Sequence, residues 1–189
     1  MKLALRHCQT ENDYWQIRNF LREVFLLNQG WEHSWHVARL DYWRWHYITN
    51  LSSSKSVAAG LVAWESEDGK LAGVLTGLGG AEIRLHVHPD YRSPALEGEM
   101  LAYAERSYCE QGQDGRWYLV LPVFAPDLQR QEFVSGQGYE KVAGWGHHWY
   151  RDLDEPFPDA RGATGYDIRS MGTLDEHPAR SWASWRAFH

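Results

Sequence analysis

Glu82, Arg84, His86 and His88 alternate with Ile83, Leu85 and Val87. This is the period-two pattern of a strand with one face in a core and the polar set on the other. A carboxylate and imidazoles on one face are candidate general bases. Glu82 qualifies by its place on the strand, and His86 by a pKa suited to proton transfer near neutrality. Arg84 offers Glu82 the plainer alternative of an ion pair. Just beyond Pro89, which ends the ladder because it lacks a donor, Arg92 leads into Ser93-Pro94-Ala95. Leu96, Met100, Leu101, Tyr103, Ala104 and Tyr108 then recur at spacings of three and four, predicting an amphipathic helix from Pro94. The first turn of such a helix aims unpaired N–H groups and a positive dipole end at an anion. Arg92 stands where it can approach a phosphate or cap the turn. The chemistry on offer is a base on a strand beside an anion seat on the following helix.

The rest of the chain supplies elements to hold that unit. Leu3 and Leu5 predict a short first strand, and Thr10 with Asp13 a capped helix with the stripe Tyr14, Ile17, Phe20, Leu21, Val24 and Phe25. Val57–Trp64 and Leu71–Leu78 read as a hairpin turning at Asp68-Gly69. Trp117–Val123 is an apolar strand, residues 127–136 a helix, and residues 142–153 a final strand. The result is an α/β (α+β) pattern.

Val87 to Leu101, V-H-P-D-Y-R-S-P-A-L-E-G-E-M-L, resembles the acyl-CoA-binding motif of the GNAT superfamily of N-acetyltransferases, with Val87, Pro89, Tyr91, Arg92, Leu96 and Leu101 at the family's positions. The resemblance implies a mixed central sheet of six to seven strands flanked by helices. It also implies acetyl-CoA as co-substrate and a small amine or amino metabolite as acceptor. Leu85 and Val87 would line the acyl-CoA arm, and the turn of Arg92, Ser93, Ala95, Leu96, Glu97 and Gly98 would hold the pyrophosphate. Glu82 and His86 become the candidate catalytic residues. Trp31, Trp35 and Tyr42, in the second helix region, would border the acceptor. The chain departs from the family where it reads Ser93, Ala95 and Glu97 instead of small glycines. A carboxylate in a pyrophosphate turn repels the ligand, and Pro94 removes a donor. In the second motif Asp127 and Val134 stand where the family has an asparagine and the tyrosine that protonates the departing thiolate; Val134 carries no proton to give.

With 189 residues, 43% hydrophobic and 23% charged, the chain is long enough for one good core. No stretch has the length of a membrane span and none reads as a signal peptide, so the cytoplasm is the expected compartment. A net charge of -6 speaks against nucleic acid as main partner. Cys8 and Cys109 read as free thiols. His33, His36 and His46 lack H-E-x-x-H spacing, so no metal site is predicted. A G-x-S-x-G elbow, a Walker loop and a dinucleotide-binding glycine fingerprint are likewise missing from the sequence. The eleven tryptophans and ten tyrosines predict mostly core packing, with a minority lining a pocket.

Residues 1–153 are expected to form the GNAT-like domain and 154–165 a Pro- and Gly-rich linker. Residues 166–189 restart the strand-then-helix pattern, with Thr173 as cap, similar to the entry of a second GNAT domain. A homodimer or such a C-terminal domain are the protein partners this admits. The competing reading is a catalytically silent GNAT-like domain that binds a ligand or supports a partner. It predicts a cleft closed by side chains such as Glu97, whereas the enzyme predicts acetyl-CoA between the strands ending near Val87 and Trp117. A third reading is an aromatic-rich binding protein that does not use CoA.

Overall fold

The computed structural model describes residues 2–30, 33–47, 60–77, 80–142, 154, 156 and 162–188. Two compact units are present, Met1–Lys141 and Val142–His189.

In the first unit, strand β1 (Leu3–His7) leads into helix α1 (Glu11–Leu27). Thr10 caps α1 with its hydroxyl on the Asp13 N–H, and the Asp13 carboxylate returns to the Thr10 N–H, a full capping box. The buried face of α1 is the expected stripe of Tyr14, Ile17, Phe20, Leu21 and Val24. Helix α2 (Val37–Tyr42) continues as a π-helical turn, Trp43–Tyr47. It is tied to α1 by Asp41, which accepts from the Tyr14 hydroxyl at 2.5 Å and from Arg18.

Strands β2 (Leu61–Ser66) and β3 (Leu71–Gly77) form the expected hairpin. Its turn closes at Gly69, where φ is +81°, a conformation that suits glycine. β3 pairs antiparallel with β4 (Ile83–Val87), giving the order β1-β2-β3-β4. A 3₁₀ turn (Pro89–Tyr91) and helix α3 (Pro94–Tyr108) follow. Strands β5 (Glu110–Gln111) and β6 (Trp117–Tyr118) make a separate small hairpin. Helix α4 (Leu128–Gly136) starts from Asp127 as N-cap.

The sheet divides two cores. On one face Leu61, Ala63 and Val74 meet α1, α2 and the π-helical turn; on the other Val62, Leu75, Ile83, Leu85 and Val87 meet Leu96, Met100, Leu101 and Ala104 of α3. The alternation on β4 thus does sort side chains, but the polar set is not solvated: His86 and His88 are both buried.

Among the described residues the sheet has four strands plus the two-stranded hairpin, in place of the expected six to seven. Trp117–Val123 is the main reason. Only Val120 bridges the central sheet, parallel to Glu82, through Ile83 N–H to the Val120 carbonyl at 3.0 Å and Val120 N–H to the Ala81 carbonyl at 2.8 Å. Beyond that bridge the two segments share no ladder hydrogen bonds. The expected strand over 142–153 falls almost wholly outside the described residues.

In the second unit a 3₁₀ turn (Leu174–Glu176) runs into helix α5 (His177–Phe188); Thr173 holds the N-cap position of the turn, but its side chain makes no capping hydrogen bond. The strand expected at 166–171 is not formed. A strand needs a neighbour to accept its backbone bonds, and Tyr166 and Ile168 are instead largely exposed. No helix among the described residues is long and apolar enough to cross a membrane.

Candidate functional site

The strand-turn-helix unit forms as its sequence indicates. Ser93 caps α3 with its hydroxyl on the Leu96 N–H at 3.3 Å, and Pro94 occupies the first turn. Two of the turn's amides are nevertheless committed. Pro94 has none, Leu96 is held by the Ser93 hydroxyl, and the Glu97 N–H donates to the Ser93 carbonyl at 3.0 Å.

Glu97 projects from this first turn into the protein, with its side chain 4% exposed. Its Oε1 accepts from Arg92 Nε at 2.9 Å and from an Arg130 terminal nitrogen at 3.0 Å, and its Oε2 accepts from Arg130 Nε at 3.2 Å. Arg92 also donates to both oxygens of Asp127, at 2.7 and 2.9 Å. Asp127 in turn caps α4 through the Arg130 N–H at 3.1 Å and meets His33 Nδ1 at 3.1 Å. Two guanidinium groups and two carboxylates therefore close on one another, with every member but Arg92 almost wholly buried. Burial pushes the Asp127 carboxyl up, but the hydrogen bond from Arg92 and the charge of Arg130 outweigh this and hold it below the usual carboxylate range. Burial also opposes the charge on Arg92, and Asp127 and Glu97 outweigh it, leaving that guanidinium above its ordinary value.

Arg130 makes a further bond. Its remaining terminal nitrogen donates to the Leu85 carbonyl at 3.1 Å and lies 3.4 Å from the His33 carbonyl. The Ile83 N–H points from β4 toward Val120, so by strand alternation the Leu85 carbonyl faces the same edge. Pro122, two residues past the Val120 bridge, has no N–H to continue the ladder, and farther along the same edge a guanidinium from α4 takes the Leu85 carbonyl.

The candidate bases separate. Glu82 lies at the parallel bridge with its side chain 40% exposed, 3.0 Å from Arg84. His86, also expected as a catalytic group, is sealed in the core at 1% exposure. Its Nδ1 accepts from the Trp35 N–H at 3.2 Å, and its Nε2 meets the Thr76 hydroxyl at 3.2 Å. Burial, then the charges of Arg130 and Arg84, push its pKa down to about 3. The imidazole is thus neutral, and with Nδ1 accepting, Nε2 carries the proton toward Thr76. Both nitrogens have structural partners, which corrects the expectation that His86 faces a reaction.

Of the residues expected to border an acceptor, Trp35 is buried against His86, with ring centroids 5.2 Å apart. Tyr42 is 54% exposed, its ring tilted against that of His46, while Trp31 lies outside the described residues. Val87 is buried on the α3 face and Leu85 offers the carbonyl taken by Arg130. Ala95 is exposed, and Gly98 lies beside Phe133.

An acyl-CoA pyrophosphate does not fit this turn as it stands. The nearby cations, Arg92 and Arg130, are neutralised by Glu97 and Asp127, and the Leu85 carbonyl beside them is taken. Arg130 and His33 are the members that sequence reasoning missed. The signal available was charge balance: Glu97 and Asp127, each noted as a departure, need buried counter-charges, and Arg130 lies three residues after Asp127 on the same helix.

No family model matches the chain, and no curated protein matches it either. Among solved structures it is similar to glucosamine-6-phosphate N-acetyltransferase from Arabidopsis thaliana, at 13% identity over 80% of this chain and all of that one, with a TM-score of 0.46. It is also similar to AAC(6')-Iy in complex with a bisubstrate analogue of CoA, at 13% identity over 80% of this chain and 99% of that one, with a TM-score of 0.47. A third is an integron cassette protein from the mobile metagenome of V. cholerae, at 13% identity over 81% of this chain and 94% of that one, with a TM-score of 0.47.

Proposed function

We propose that residues 1–141 form a GNAT-type domain that has given up acetyl-CoA binding and serves as the non-catalytic half of an N-acetyltransferase whose acceptor is a small amine. One observation carries this reading: Arg130 joins Glu97 and the Leu85 carbonyl, so a single side chain closes both the pyrophosphate turn and the strand edge beside the cleft. Val134, in place of a proton-donating tyrosine, points the same way. Displacing Glu97 would strand a carboxylate or two cations in a buried setting, at a cost of several kcal/mol.

The catalytic half would be a second domain of the same type, and the second unit supports that. Arg6 pairs with Asp13, whose carboxylate accepts the Gln9 N–H at 2.8 Å before helix α1. Arg169 pairs with Glu176, whose carboxylate accepts the Gly172 N–H at 2.7 Å before helix α5. The spacing is identical, and Thr10 and Thr173 both stand three residues before the carboxylate in an N-cap position, although only Thr10 makes a side-chain capping bond.

Calorimetric titration of the purified chain with acetyl-CoA and with CoA tests the proposal. The expected result is no saturable heat at millimolar ligand. Micromolar binding that Arg92→Ala weakens would overturn it and favour direct acetyl transfer within this domain. For that second reading the exposure of Glu82 at the start of the cleft is the supporting observation. Glu82 would then take the amine's proton as the nitrogen attacks the thioester, and an acceptor screen with Glu82→Gln would follow.

A further inference from the structure

The segment Trp117–Leu121 has two edges, and only the inner one is used. Val120 turns both its backbone groups inward: its N–H donates to the Ala81 carbonyl at 2.8 Å and its carbonyl accepts the Ile83 N–H at 3.0 Å. Arg116 faces the same way, its carbonyl accepting the Gly112 N–H at 2.8 Å in the small hairpin. Successive residues of an extended chain point their backbone groups to opposite edges. Leu119 and Leu121 therefore turn theirs outward, where neither finds a backbone partner among the described residues. Pro122 ends the inner ladder, since the donor it lacks is an inward one. The outer edge is left intact.

The side chains along it are apolar. Trp117 is 68% exposed, Tyr118 43% and Val120 44%, while Leu119 and Leu121 pack against the α3 core. No charged residue occurs from Trp117 to Phe124. Proteins guard an open strand edge with charges, bulges or a covering element, so an edge that is both apolar and uncharged suits a partner that brings a strand of its own. The segment is also complementary to itself. A two-fold axis through Leu119 sets that residue beside its own copy in a pair that exchanges both backbone bonds, with Trp117 opposite Leu121 and Tyr118 opposite Val120. Aromatic rings facing aliphatic and β-branched side chains are favourable pairs across antiparallel strands. Arg116 falls opposite Pro122, so a chain of net charge -6 meets its copy here without like charges in contact.

We propose that the outer edge of Trp117–Leu121 is the contact face for a second copy of this chain, the two joined as an antiparallel, two-fold strand pair centred on Leu119. This edge is turned away from β4, so the contact stands whether or not the non-catalytic reading of the domain holds.

Sedimentation equilibrium of the purified chain reads the stoichiometry, and amide hydrogen exchange reads the edge. A dimer at micromolar concentration is expected, with the Leu119 and Leu121 amides more protected as concentration rises. Val120→Lys, at an exposed side chain, is expected to weaken the dimer about tenfold, since the two-fold repeats each lost pair. Trp117→Ala should act in the same direction and, at a more exposed position, carries the test if Val120→Lys folds poorly. A monomer throughout, or a dimer whose affinity neither variant changes, would overturn the proposal. So would Leu119 and Leu121 amides protected equally at every concentration, which would show that the chain covers this edge itself.

Discussion

Arg130, in the first turn of α4, donates to the backbone carbonyl of Leu85 in β4 across 3.1 Å while its other nitrogens grip Glu97. One guanidinium thereby fastens α4 and α3 to the free edge of the central strand. The Val120 segment leaves that edge just past its single bridge. The protein supplies its own ligand to the opening.

Breaking that contact should be expensive. Arg130→Met leaves Glu97 with Arg92 alone and the Leu85 carbonyl without its donor, and is expected to lower stability by about 3–5 kcal/mol. Glu97→Gln should cost less, since the amide keeps an acceptor for one arginine. Chemical denaturation of both singles and the double variant checks this. A coupling energy near zero would show that the two side chains are not acting as a pair.

The pH profile offers a separate check. His86 has its pKa lowered from 6.5 to about 3 by burial and then by Arg130 and Arg84. Between those values the unfolded chain binds a proton that the folded chain refuses. Stability is therefore full above pH 6.5 and falls as the pH drops toward 3, by about 1.4 kcal/mol per unit at most. Asp127, whose pKa is also lowered, contributes a loss of the same sign only below its ordinary value of 3.8. His86→Gln should flatten the slope between pH 6 and 4 by about one proton, measured as urea midpoints. An unchanged slope would mean His86 is not the group responsible.

Much of this was legible in the residue pattern, and the failures have a common cause. β1 and α1, the β2–β3 hairpin, β4 and α3 all announce themselves through local signals: the Thr10–Asp13 box, Asp68-Gly69, the alternation ending at Pro89, and Ser93-Pro94 ahead of an apolar stripe. What did not show was anything decided between distant segments. Alternation puts His86 on the polar face but cannot reveal that α1, α2 and Trp35 cover that face. Trp117–Val123 reads as a strand by composition, yet pairs at a single residue, because Pro122 stands where the next ladder N–H would have to donate. Tyr166 and Ile168 alternate with Asp167 and Arg169, but no strand lies beside them among the described residues. Glu97 and Asp127 were visible as unwelcome charges in two motifs; that they share two arginines is a fact of tertiary structure.

Close packing between β3 and α3 makes another sharp expectation. A Cβ added at Gly77 would lie 2.5 Å from the Tyr108 ring, which itself packs on the α3 core. Gly77→Ala should therefore cost about 1–3 kcal/mol by overpacking. Shortening the obstacle in Gly77→Ala/Tyr108→Leu should return part of it, because the clash is with one side chain. Thermal unfolding of the two variants decides the matter, and an equal loss in both would place the strain in the backbone.

The last prediction reverses the closure of the turn. If the carboxylates of Glu97 and Asp127 are what exclude an anion, removing their charge should create a seat for one without building anything new. Glu97→Gly/Asp127→Asn, which brings both positions to the residues the GNAT motifs carry, leaves Arg92 and Arg130 facing the first turn of α3 with no carboxylate between them. Glycine also lets a ligand approach the backbone. The variant is expected to lose stability in the absence of ligand, because two cations are then held together, and to regain it with pyrophosphate or CoA by mass action. Calorimetry and thermal unfolding with and without pyrophosphate read both effects. A folded double variant that binds no pyrophosphate at millimolar concentration would show that Pro94 and the Ser93-bound amides, not the carboxylates, are what close the turn.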